Sequence, residues 1–239
     1  MRPTSHLFLQ SRNPRQIEKG RRVCRDVDID SVISRLKKKV SEFREPIVTR
    51  VSHTRDPYLV LISCLISLRT KDEVTAAASE RLFAVARTPR KMLGLRAGRI
   101  SKLIYPAGFY RTKGKTIRGV SKDILTRYHG RVPDSIDELL TLKGVGRKTA
   151  NLVVTLGYGK PGICVDTHVH RISNRLGLVR TKTPEQTEFA LRKLLPRRHW
   201  IVYNDLLVTY GQNVCVPISP KCSQCVIPEC PRIGVQRHR

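Results

Sequence analysis

Leu142-Lys143-Gly144-Val145-Gly146-Arg147-Lys148-Thr149-Ala150 is the stretch from which the fold can be read. Gly144 and Gly146 permit positive φ and leave their amides uncovered, so the segment reads as a glycine hairpin handing directly into a helix. That helix begins near Arg147 and adds the positive end of its dipole to the hairpin mouth. Lys143, Gly144, Val145, Gly146 and Arg147 are therefore candidates for holding a phosphate of a nucleic-acid backbone, which positions a duplex without reading its bases. A plain helix–turn–helix corner with the glycines as C-caps is the competing reading. Arg147, Lys148 and the overall charge favour the phosphate.

Outward from the hairpin the pattern is helical almost throughout. Apolar residues recur at spacings of three and four in Val32-Ile33-Leu36-Val40, in Val60 to Leu65, in Val74 to Phe83, and in Ile117-Val120-Ile124. Ser135 with Glu138 three residues on forms a capping-box signature, and Pro184 with Glu185 and Glu188 opens another helix. No alternating run is long enough for a sheet. The expected fold is all-α, in two helical lobes: residues 50–160 as a central lobe with the hairpin, residues 28–49 and 161–232 as a second, 1–27 as a flexible basic arm, and 233–239 as a tail. An Arg-rich organelle-targeting peptide is the alternative for the arm.

A chain of 239 residues with a net charge of +27 calls for a polyanionic partner. The cations are spread along the chain rather than gathered on one amphipathic helix, which favours nucleic acid over a membrane surface. The longest apolar run, around Leu59 to Ile66, is too short to span a bilayer. Of seven cysteines, Cys64 and Cys164 sit among apolar neighbours and should be packed. Cys215, Cys222, Cys225 and Cys230, spaced C-x6-C-x2-C-x4-C, place four thiolates in one loop. This set suits a [4Fe–4S] cluster or a tetrahedral zinc.

Lys148 falls in the first turn of the hairpin helix. The helix N-terminus and neighbouring cations disfavour a charged ammonium there, and a neutral amine is a nucleophile; a second phosphate contact is the plainer role. Eighteen residues on, Val165-Asp166-Thr167-His168 puts Asp166 where it would cap the helix Thr167 to Leu176. A carboxylate held there can also take a proton from the lysine or stabilise positive charge on a deoxyribose.

Leu142 to Asn151, followed by Val165-Asp166-Thr167-His168 and Arg171, resembles the endonuclease III family of DNA glycosylases with AP lyase activity, the likeness running from about Pro57 to Pro231. The resemblance implies a bifunctional base-excision enzyme in which Lys148 attacks C1′ of a damaged nucleotide, expels the base and cuts the strand by β-elimination, with Asp166 as catalytic aspartate. Oxidised pyrimidines are the lesions it implies, and the cysteine set becomes a [4Fe–4S] ligand set, zinc being the alternative. His168 joins the DNA-contacting set. Phe109 matches the position of the family's intercalating wedge, a core aromatic being the other reading. Arg69 stands where the family commonly has a gap-filling glutamine. Lys143 replaces the family's usual proline, the last cysteine interval is one residue short, and Val216 to Lys221 carries only one cation. The expected partner is double-stranded DNA with damaged bases or abasic sites. A monomer is expected, cytoplasmic and nucleoid-associated, or in an organelle or nucleus in a eukaryote. The competing functions are a monofunctional glycosylase of the same fold and a non-catalytic DNA-structure-binding protein with a zinc loop.

Overall fold

The computed structural model describes residues 28–239, all helical in their regular structure. The basic arm expected over 1–27, and Cys24 within it, lie outside these residues. The centre of the first lobe is α3 (Pro57–Ser67). Pro57 starts it, the Asp56 carboxylate accepts from the amides of Tyr58 and Leu59, and every residue from Tyr58 to Ile66 is buried. A helix apolar on all sides must be surrounded. Around it pack α2 (Ile47–Ser52), α4 (Asp72–Val85), α7 (Tyr110–Arg127) and α9 (Arg147–Leu152). α5 (Pro89–Leu93), α6 (Ala97–Ile104) and α8 (Ile136–Leu140) complete the lobe. Half of the capping box is present: Ser135 Oγ accepts from the Glu138 amide, while the Glu138 carboxylate accepts from the Ser135 hydroxyl and not from its amide.

The second lobe has its own core, from α1 (Ile29–Val40), α10 (Thr167–Arg175), α11 (Pro184–Leu194) and α12 (Trp200–Asn213). The boundary expected at residue 50 runs through α2, whose Val48 and Val51 both pack against the first core. At the other boundary the extended segment Ile163-Cys164-Val165 alternates: Cys164 joins the first core, Ile163 and Val165 the second. Cys64 is buried like Cys164, and no described helix is long and apolar enough to cross a membrane.

Polar ties join the lobes. The Thr49 hydroxyl donates to Asp205 at 2.7 Å, and the Asn204 amide donates to the Cys164 carbonyl at 3.1 Å. The strongest tie is Glu188 on α11, 2% exposed, which accepts from Arg147 and Asn151 of α9 and from Arg192 of its own helix. A buried carboxylate needs that many donors to offset its lost hydration.

Candidate active site

The hairpin holds its shape by an unequal division of labour between its glycines. Gly144 has φ +88°, where L-residues are strained, and a Cβ there would come 2.7 Å from Thr116 Cγ2. Gly146 has φ −94° and open space around it, so its expected positive φ is not found. Gly146 instead caps α9 with no side-chain acceptor, which leaves the first amides of that helix without a side-chain partner. Val145, expected among the phosphate contacts, is buried, and its amide is taken by the Leu142 carbonyl. Arg147 is committed as well: its guanidinium pairs with Glu188 at 2.8 and 3.0 Å and lies over the Phe189 ring, so its charge is not free for a phosphate. Lys143 is exposed beside the hairpin.

Lys148 Nζ stands 3.5 Å from Asp166 Oδ2. Asp166 is 8% exposed and its other oxygen, Oδ1, accepts from the amides of His168 at 2.8 Å and Val169 at 2.9 Å. The helix cap and the lysine partner are thus different oxygens of one carboxylate. Capping fixes the group rotationally, so Oδ2 faces the amine without further support. Beneath Lys148, the Cys164 thiol lies 3.6 Å from its carbonyl.

Two cavities meet at this pair. One, of about 430 Å3, is walled by Arg69, Lys148, Asp166, His168 and Asp205 among others. The other, of about 590 Å3, runs along α9 past Lys148, Asp166 and Thr183. Burial lowers the His168 imidazole below its usual range, and Arg171 packs 3.1 Å from its Nδ1, so the ring is neutral at pH 7. Burial pushes Asp205 up to about 6 despite the Thr49 hydrogen bond. Sequence reasoning missed Asp205, which carries no motif and stands among mixed neighbours, Asn204, Val208 and Gln212, on the cavity wall.

Phe109 is 61% exposed, which overturns the core reading, and has φ +57°. Arg69 has φ +52° on the neighbouring loop, and its guanidinium lies 5.6 Å from the Phe109 ring centroid. Arg69 walls the first cavity, and both residues line a neighbouring one of about 400 Å3.

Cys215, Cys222, Cys225 and Cys230 line one cavity of about 50 Å3 under α10 and α12. Hydrogen-bond donors already point at the sulfurs: Arg175 Nη1 reaches Cys215 Sγ at 3.4 Å and the Tyr210 hydroxyl reaches Cys225 Sγ at 3.1 Å. Such donors suit anionic sulfur, so this donor set fits a cysteine-ligated group. Among the described residues no group of three or more Cys, His, Asp or Glu is arranged to hold a metal ion.

An uncapped hairpin helix, a lysine–aspartate pair in an interlobe cleft and a cysteine-lined loop define a helix-hairpin-helix DNA repair protein. Residues 62–197 match the HhH-GPD superfamily of base excision DNA repair proteins. The chain is 47% identical to endonuclease III of Thermotoga maritima over 79% of its own length and 90% of that protein. It is 46% identical to the endonuclease III-like protein 1 of Bos taurus over 71% of its length, spanning 56% of that longer chain. A trapped endonuclease III–DNA covalent intermediate superimposes with TM-score 0.70 at 34% identity, covering 74% of this chain and 84% of that one. A thermostable thymine-DNA glycosylase gives TM-score 0.71 at 25% identity over 85% and 98%. The chain belongs to the endonuclease III family, and it is a DNA glycosylase and AP lyase of base excision repair.

Proposed function

We propose that this enzyme removes oxidised pyrimidines from double-stranded DNA through an imine on Lys148. The observation that carries the reading is the Lys148–Asp166 pair at 3.5 Å, at the junction of two cavities. The target nucleotide leaves the stack, because C1′ is inaccessible inside a duplex. Phe109 enters the stack as a wedge, and Arg69 occupies the gap beside it. The Lys148 amine attacks C1′; its C–N bond forms as the glycosidic bond breaks, and the base leaves with the bonding pair. Asp166 Oδ2 accepts the proton that the nitrogen sheds and offsets positive charge on the sugar. Ring opening gives the imine, which acidifies the C2′ hydrogens, and elimination of the 3′ phosphate cuts the strand. The uncapped amides at the start of α9, together with Lys143, hold a neighbouring phosphate.

The four cysteines would hold a [4Fe–4S] cluster, which supplies structural cross-linking of the C-terminal loop when bound. Membership of the endonuclease III family supports a cluster over one tetrahedral ion. A solution absorbing near 400 nm bears this out, and a colourless protein that retains zinc refutes it.

The test of the chemistry is borohydride trapping on abasic and oxidised-pyrimidine duplexes. Lys148→Gln should abolish the trapped species, and persistent trapping would remove Lys148 from the mechanism. Asp166→Asn should slow base release by roughly 10²- to 10⁴-fold with much smaller change in binding. Equal losses in both would leave it as a helix cap alone.

A further inference from the structure

Lys113 lies on α7, one turn after Phe109, and is 7% exposed. Its Nζ donates three short hydrogen bonds: to the Ile66 carbonyl at 2.6 Å, to the Leu68 carbonyl at 2.6 Å and to Thr70 Oγ1 at 2.8 Å. All three acceptors are uncharged, and they span the C-terminal end of α3 and the loop that carries Arg69. A protonated lysine has three N–H donors, and here each has one acceptor. Because α3 presents the negative end of its dipole to the amine, a buried cation is tolerable without a carboxylate. Burial still lowers its pKa to about 8, which leaves it a cation at neutral pH.

Thr70 extends the connection. The same Oγ1 that accepts from Lys113 also accepts from the Gly108 amide at 3.0 Å. The loops touch backbone to backbone at that point, since a Cβ on Gly108 would sit 2.4 Å from the Arg69 carbonyl oxygen. Arg69 and Phe109, both in the left-handed region, are thereby held by one hydrogen-bonded centre while their side chains remain exposed. Thr70 walls the same cavity as Lys148 and Asp166, but none of the hydrogen bonds of this centre is made to either of them.

We propose that Lys113 is a positioning residue that, through Thr70, fastens the Arg69 and Phe109 loops into a single unit for probing and holding open the duplex. The proposal rests on the reading of Arg69 and Phe109 as gap filler and wedge. It assigns Lys113 no contact with DNA and no part in the chemistry. Its consequence is selective: substrates that require extrusion depend on it, and a site already unstacked does not.

The experiment compares rates of borohydride trapping on an abasic site in a duplex and on the same site in a single strand. Lys113→Met, which keeps the stem and loses the donors, should slow the duplex reaction roughly 10- to 100-fold and leave the single-strand reaction within about twofold. Thr70→Val should show the same contrast, and Thr70→Ser, which keeps the hydroxyl, should restore the wild-type ratio. Should Lys113→Met fail to fold, the Thr70 pair carries the test. An unchanged duplex rate, or equal loss on both substrates in a folded variant, overturns the proposal. Phe109→Ala and Arg69→Ala are the controls: if neither slows the duplex reaction selectively, the wedge reading fails instead. If they do and the Lys113 and Thr70 variants do not, this proposal alone fails.

Discussion

At the residue scale, the carboxylates of the cleft differ in what surrounds them. Asp166 is satisfied by two helix amides and a lysine, whereas Asp205 is half-buried with one hydroxyl donor and is pushed up to about 6 from 3.8. A carboxyl raised on folding favours the folded state only while the unfolded chain also keeps it protonated. Its contribution is therefore intact below about pH 4 and is lost as pH rises through 6. At 1.36 kcal/mol per pH unit the gap amounts to about 3 kcal/mol. Asp205→Asn keeps an acceptor for Thr49 and removes the ionisation. Thermal melts should find the variant more stable than wild type by roughly 1–3 kcal/mol at pH 8 and equal to it near pH 4. A variant equally or less stable at pH 8 would show that Asp205 is better hydrated than its burial implies.

At the element scale, the hairpin makes its two glycines separable. Gly144→Ala meets both a positive φ and the Thr116 methyl, and should cost roughly 1–3 kcal/mol together with DNA affinity. Gly146→Ala meets neither and should cost under about 1 kcal/mol as a poorer N-cap. Comparable destabilisation by both would mean that the hairpin backbone is held differently. The glycine pair, the helices, the Ser135 cap and the Lys148–Asp166 pairing were all legible, because periodicity, caps and spacing are local properties of the chain. Which glycine needs positive φ was not, since it depends on Thr116 from another helix. Lys113 was missed, and Glu188 was read only as an acid marking a helix start, because charged residues are assumed to face water. A signal existed: Lys113 precedes Ile117, Val120 and Ile124 on the buried stripe of α7, and Glu188 precedes Leu191 and Leu195. A charge on a stripe of that spacing is a buried charge with partners to be found. Phe109 was ambiguous for the opposite reason, an apolar residue whose exposure is decided by the loop beneath it.

At the scale of the whole molecule, a net charge of +27 gives no indication of which cations a duplex meets. The structure separates two that are neighbours in sequence. Lys143 is exposed beside the open hairpin, while Arg147 has its charge engaged by Glu188 across the lobe boundary. Each phosphate neutralised by a free cation contributes about −0.9 to the slope of log affinity against log salt, and a cation already paired releases no counterion. Lys143→Ala should thus flatten the slope for an undamaged duplex by about 1 with little change in stability. Arg147→Ala should leave the slope close to that of wild type and instead lower stability. It leaves Glu188 buried with only Arg192 and Asn151, a loss on the order of 3 kcal/mol for a broken buried pair. Because that carboxylate joins the hairpin helix to α11, the same variant should loosen the cleft on whose two walls Lys148 and Asp166 stand. Hydrogen exchange should then quicken in both helices together. If Arg147→Ala instead flattens the slope as Lys143→Ala does, the arginine leaves Glu188 for the phosphate when DNA binds, and the lobes are tied only in the free enzyme.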